Sequence, residues 1–202
     1  MAIYEPHDRF YRKARAKGLP SRAAFKLEEI LARYRIAAKG AKVADLGCAP
    51  GGWLAILARE VGPTGRVVGI DLAQSKAPAG TIAIVADLRE PEIASRAIEI
   101  LGGTADLITS DLAPKLTGIA ARDEARSREL IAAAIEFAGR ALRPGGSMVA
   151  KLFMGAEFKD AVAEFERCFE RVDVVRTVAT RPGSAELYVV ARGLRAPGNP
   201  TD

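Results

Sequence analysis

One stretch constrains the fold of this chain more than any other: Val43-Ala44-Asp45-Leu46-Gly47-Cys48-Ala49-Pro50-Gly51-Gly52-Trp53. A short apolar strand runs into a glycine-rich turn and then into a helix opening near Gly52. Glycines at 47, 51 and 52 permit positive φ and let the backbone approach a ligand without Cβ interference, and the helix behind them offers unsatisfied N–H donors. Such a turn cradles a polar small molecule. Its spacing is G-x-x-x-G-G, so it matches neither the dinucleotide pattern G-x-G-x-x-G nor a phosphate-binding G-x-x-x-x-G-K-[ST] loop.

Downstream of this turn the pattern alternates. Strands are predicted over 42–46, 66–71, 82–86, 107–110 and 147–152, and helices over 52–61, 91–101, 123–142 and 156–168. Alternating strands and helices imply an α/β fold with a mostly parallel sheet covered on both faces. Two further strands, over 172–176 and 186–191, are joined by a short link containing Arg181-Pro182-Gly183, so the last strand should run antiparallel in a sheet of seven. The expected organisation is a basic helical segment over 1–41 packed on the domain, a Rossmann-like domain over 42–193 and a frayed tail over 194–202.

Charge separates the first of these parts from the rest. Residues 1–42 contain eleven Lys/Arg and four Asp/Glu, net +7, while the whole chain is only +5, so the remainder is net −2. In residues 8–17, Arg9, Arg12, Lys13, Arg15 and Lys17 are interleaved with Phe10 and Tyr11, a mixture suited to phosphates and exposed bases. Ser21 is an expected N-cap for a helix whose core face is Leu27, Ile30, Leu31 and Tyr34. Lys26 falls off that stripe, and periodicity alone assigns it to the surface.

Several classes are disfavoured. Apolar runs such as 81–86 and 187–191 are far short of the roughly 20 residues of a membrane span. The N-terminus is charged from Glu5 onward, unlike a secretory signal, so a cytoplasmic protein is expected. Two cysteines without framework spacing read as reduced thiols, and one histidine with no C-x-x-C argues against a metal site. Cys48, with no adjoining base, reads as a small buried hydrophobe.

In open α/β sheets, ligands bind beyond the carboxyl ends of the strands. Asp45, Asp71, Asp87, Asp111 and Lys151 each lie at or just after such an end, and Glu186 begins an antiparallel strand, which returns it to the same edge. Six charged residues along one edge are economical only around a ligand. Asp71 is placed to accept from ribose hydroxyls and Asp87 to lie near an adenine, with helix N-capping as the alternative for each.

Five ordered motifs resemble the FtsJ/RrmJ family of RNA 2′-O-methyltransferases, the ribosomal RNA large subunit methyltransferase E type. They are Ser21-Arg22-Ala23-Ala24-Phe25-Lys26-Leu27, the glycine turn, Ser110-Asp111-Leu112-Ala113-Pro114, Lys151-Leu152-Phe153 and Ser184-Ala185-Glu186-Leu187-Tyr188. The resemblance implies the S-adenosylmethionine-dependent methyltransferase fold and 2′-O-methylation of a ribose, with a uridine of large-subunit (23S-type) ribosomal RNA as target. It places a catalytic tetrad on Lys26, Asp111, Lys151 and Glu186 and cofactor contacts on Gly51, Trp53, Asp71, Asp87 and Asp111. It thereby moves Lys26 from the surface to the active site. The implied partner is ribosomal RNA within the large subunit, with no membrane, no metal and a monomeric enzyme. The alternatives are a transfer-RNA methyltransferase, a small-molecule methyltransferase, or a non-catalytic RNA-binding assembly factor of the same fold. Lys151 is open to two roles, as general base or as the cation that orients the hydroxyl and stabilises developing oxyanion charge.

Overall fold

The computed structural model describes residues 23–114, 117–181 and 183–196. Residues 8–17 and Ser21 therefore lie outside the described residues, as does most of the tail. Seven strands, β1 (Lys42–Leu46), β2 (Arg66–Asp71), β3 (Thr81–Val85), β4 (Ala105–Ser110), β5 (Leu142–Phe153), β6 (Phe169–Val175) and β7 (Glu186–Leu194), form one sheet in the order β3-β2-β1-β4-β5-β7-β6. Among the described residues five helices accompany it: α1 (Ala23–Tyr34), α2 (Gly52–Val61), α3 (Ile93–Leu101), α4 (Ala120–Ala141) and α5 (Phe158–Cys168). The doubly wound α/β architecture read from the pattern is the one observed.

Strands β1 to β5 pair in parallel and β7 pairs antiparallel with both β5 and β6. The final hairpin is thus present, but β7 inserts between β5 and β6, and no local pattern signals that insertion. Its consequence is functional. Glu186 stands opposite Phe153, and Tyr188 opposite Lys151, at the carboxyl end of β5.

The Arg143-Pro144-Gly145-Gly146 stretch ends α4 at Ala141, as expected, but the chain passes directly into β5. The ladder with β4 skips from Ala105↔Leu142 to Leu107↔Ser147, and this irregularity absorbs the Pro and Gly residues, which contribute poorly to a regular ladder.

Two apolar layers cover the sheet. One joins Leu46, Ile108, Met148, Ala150 and Leu152 to α3, α4 and α5 through Ala97, Phe137 and Phe165. The other joins Val43, Leu107, Val149 and Tyr188 to α1 and α2 through Leu27, Ile30, Trp53 and Leu57. Leu27 and Ile30 are fully buried, each worth roughly 1.5–3 kcal/mol, so α1 is held as part of the core and its flank is presented to the sheet edge at a fixed angle.

Candidate active site

The glycine turn folds by backbone necessity. Gly51 has φ +105, and a Cβ there would sit 2.6 Å from the Lys76 carbonyl oxygen. Gly47, at φ +77, would bring a Cβ to 3.1 Å from the Leu112 backbone nitrogen, so the turn and the chain leaving β4 pack backbone to backbone. Asp71 locks the turn from β2: one oxygen accepts the Ala49 N–H at 2.9 Å and the other the Ala73 N–H at 2.8 Å. Neither bond is a helix cap.

Beneath the turn, Asp45 is completely buried at the end of β1. Its Oδ1 accepts the Thr109 hydroxyl at 2.7 Å, while Oδ2 is buried without a partner. Burial, augmented by Asp111 and Asp71, pushes the Asp45 pKa up to about 8 against the bond from Thr109. Burial, with the nearby Asp45 and Asp71, likewise pushes the Cys48 thiol up to about 12, so it is held as the neutral thiol expected of a small buried hydrophobe.

Asp87 takes a different course. Its carboxylate accepts from Arg89 Nε at 2.9 Å and Nη2 at 2.6 Å, and from the Arg89 backbone N–H at 3.0 Å. These bonds hold its pKa down at about 2. It therefore stands ionised beyond β3 and does not cap α3, and Glu92, the residue preceding that helix, also makes no side-chain cap.

Four residues from distant parts of the chain meet where β4 and β5 end and β7 begins. Lys26 Nζ lies 2.5 Å from Glu186 Oε1, with the two side chains 11% and 13% exposed. The surface assignment from periodicity is corrected here, because the flank of α1 that looked free of core contacts faces the sheet edge and is covered by it. Lys151 Nζ donates to the Asp111 carbonyl oxygen at 2.9 Å and approaches Asp111 Oδ1 at 2.8 Å. Burial raises the Asp111 pKa, against the pull of Lys151 and Lys26.

Tyr188 lies between the two pairs, fully buried, with Lys26 Nζ 5.9 Å from its ring centroid. Burial and then the charges of Asp111 and Glu186 raise its pKa, so the phenol stays neutral. Sequence reasoning assigned it no role, although its position two residues from Glu186 on the same strand face is the period-2 signal that would have found it.

Trp53 is only 3% exposed. Its ring packs on Tyr188 at 5.9 Å between centroids, and its indole N–H donates to the Ala23 carbonyl oxygen at 2.9 Å. The side chain thus ties α2 to the first residue of α1, three positions before Lys26. Among the described residues there is no cluster of His, Cys, Asp and Glu able to hold a metal, and no helix long and apolar enough to cross a membrane.

A Rossmann-like sheet with an antiparallel β7, a backbone-tight glycine turn after β1 and acidic residues at or after the ends of β2, β3 and β4 make up the architecture of a Rossmann-like methyltransferase. A profile of FtsJ-like methyltransferases matches residues 19–194. The chain belongs to the FtsJ-like methyltransferase family. It is 47% identical over 195 residues to a ribosomal RNA large subunit methyltransferase E of Anaeromyxobacter sp. (strain Fw109-5), covering 95% of this chain and 70% of the relative. To the Myxococcus xanthus protein of the same name it is 44% identical over 200 residues, covering 98% and 93%. A crystal structure assigned as a ribosomal RNA methyltransferase from Plasmodium falciparum superposes with a TM-score of 0.75 at 24% identity, covering 86% of this chain and 97% of that one, which shows a shared fold.

Proposed function

We propose that the protein methylates the 2′-hydroxyl of a ribose in RNA, with S-adenosylmethionine as donor and a uridine of large-subunit (23S-type) ribosomal RNA as target. The observation that carries this reading is the convergence of two largely buried lysine–carboxylate pairs, Lys26–Glu186 and Lys151–Asp111, beside the glycine turn. The names of the relatives support ribosomal RNA as the substrate class.

The residues present fit the cofactor. The tight glycine turn at Gly47 and Gly51, the ordered Asp71 carboxylate and the buried Asp45 oxygen without a partner form a polar cradle at the carboxyl edge. Gly51 and the backbone at Trp53 would border the methionine moiety, Asp71 the ribose and Asp87 the adenine, with Asp111 facing the reacting end. S-adenosylmethionine supplies an electrophilic methyl group on a sulfonium and leaves as the neutral thioether.

The acceptor oxygen requires orientation and proton removal. Lys151 spends one N–H on the Asp111 carbonyl and stands 2.8 Å from the Asp111 carboxylate, contacts that together fix the ammonium. This supports a role as the cation that aligns the hydroxyl oxygen and stabilises its developing negative charge, while the hydroxyl proton passes to the Asp111 carboxylate of the pair, which becomes the neutral acid. Lys26, held by Glu186, adds positive charge on the opposite side of Tyr188. Alignment of this kind supplies much of the rate in group transfer. The basic residues 8–17 are proposed to grip RNA phosphates.

Mass mapping tests the proposal. The purified protein and labelled cofactor are given large ribosomal subunits, free ribosomal RNA and transfer RNA. A 2′-O-methyluridine in large-subunit RNA is expected. Methylation of transfer RNA alone would move the substrate to the alternative class, and no methyl transfer to any RNA would overturn the proposal.

A further inference from the structure

A cavity of about 280 Å³ adjoins the tetrad, with Lys151 in its wall, and extends over the face of the sheet that α4 and α5 cover. It opens between the ends of β4 and β5 and the helices α4 and α5, and its interior is apolar, reaching down to Ala134, Ala150 and Phe165. Its mouth carries two unusually exposed apolar side chains, Phe153 at 39% and Met154 at 54%. Such a pocket, apolar within and bordered by a few polar groups, is the usual form of a small-ligand site.

Three observations specify the ligand. The Phe153 ring is on the cavity wall beside Lys151, whose Nζ is 5.6 Å from the ring centroid and which also lines the cavity, so the cavity is contiguous with the tetrad. The Met154 N–H donates to the Ala185 carbonyl oxygen at 2.7 Å, which anchors the rim to the residue preceding Glu186. At the mouth, Glu157 Oε1 pairs with Arg128 Nη1 at 3.3 Å, whereas Glu157 Oε2 is buried with no partner. An acceptor without a donor therefore stands beside a guanidinium, above flat apolar walls.

A ligand that completes this arrangement is planar and carries a ring N–H next to a carbonyl oxygen. Uracil and guanine do; adenine and cytosine present a bare ring nitrogen there and would leave Glu157 Oε2 facing a lone pair. We infer that this cavity is a subsite for a keto nucleobase of the substrate RNA, within one nucleotide of the methylated ribose, its N–H bonded to Glu157, its carbonyl to Arg128 and its ring against Phe153 and Met154. The inference rests on the RNA-methyltransferase reading above and adds the base selectivity to it. An unstacked base held on aromatic and apolar side chains is the common mode of single-stranded RNA recognition.

Two measurements on the full chain decide it. Only three methionines occur, so the Met154 methyl resonance is assignable by Met154→Leu. On titration with nucleoside 5′-monophosphates, that methyl is expected to shift with the uridine and guanosine forms and to stay in place with the adenosine and cytidine forms. Equal shifts with all four, or none with any, would overturn the inference. Separately, Ala161→Phe fills the cavity and Glu157→Leu removes the acceptor, and neither touches the tetrad.

With large ribosomal subunits as methyl acceptor, each change is expected to raise KM about tenfold or more, the discrimination typical of one good base contact, with kcat and cofactor affinity within about twofold. Unchanged KM in both variants would also overturn it. Should Ala161→Phe fail to fold, Glu157→Leu decides, since that side chain is 37% exposed and precedes α5. A wild-type protein that transfers no methyl group to RNA refutes the function itself; a wild type that does, with indifferent variants, refutes only the subsite.

Discussion

Lys26 and Glu186 are 160 residues apart in the chain and 2.5 Å apart in space, and both side chains are nearly excluded from water. A buried ion pair is costly to break because the remaining charge has no solvent to return to. Lys26→Met and Glu186→Gln should therefore each lower stability by roughly 3–5 kcal/mol, while the double variant recovers a substantial part of that loss. Urea unfolding of the four proteins measures the coupling. Strictly additive losses would show that the pair is not energetically linked.

The neighbouring pair tests catalysis. Lys151→Ala should lower the single-turnover methyl-transfer rate by about 10²-fold or more with cofactor affinity nearly unchanged. Arginine keeps the positive charge but does not release its proton in a protein. A Lys151→Arg rate within about tenfold of wild type supports the orienting cation; a rate as low as that of alanine favours proton abstraction by the lysine.

Asp71→Ala removes the acceptor of the Ala49 and Ala73 N–H groups. Calorimetry should show cofactor binding weakened by about 1–3 kcal/mol, the common result of leaving buried partners unpaired. Because the carboxylate also orders the glycine turn, the loss should appear for S-adenosylhomocysteine as well as for the methyl donor. Undiminished affinity would remove Asp71 from the site.

Asp45 makes stability depend on pH. Its folded pKa of about 8 lies above the ordinary 3.8, so between those values the folded chain retains a proton that the unfolded chain has released. Folding is then progressively less favourable as pH rises from about 4 to about 8, and the penalty is complete above that window. Asp45→Asn should flatten the dependence and be more stable than wild type at pH 9, by an amount on the order of a few kcal/mol, as read by urea unfolding at pH 5, 7 and 9. Parallel curves for the two proteins would place the titration elsewhere.

Local pattern determined a great deal of this protein. The period-2 and period-3.6 segments from Lys42 onward specify the strands and helices, because each element must bury one face and its side-chain spacing records which. The glycines at 47 and 51 specify the turn, because only they tolerate its backbone angles and close contacts. Strand ends then bring Asp45, Asp71, Asp111 and Lys151 to one edge, since parallel strands share a direction. What periodicity could not supply was the fate of Lys26. A helix wheel distinguishes the face against the core from the rest, but it cannot tell solvent from a charged neighbour delivered by another element. That neighbour arrives only because β7 inserts between β5 and β6, pairing residues from 33 (Phe153↔Glu186) to 45 (Ser147↔Arg192) positions apart, which no local pattern encodes. The raised pKa of Asp45, the placement of Tyr188 between two ion pairs and the cavity beside Phe153 belong to tertiary structure for the same reason: burial and proximity are properties of the packed chain, not of any segment of it.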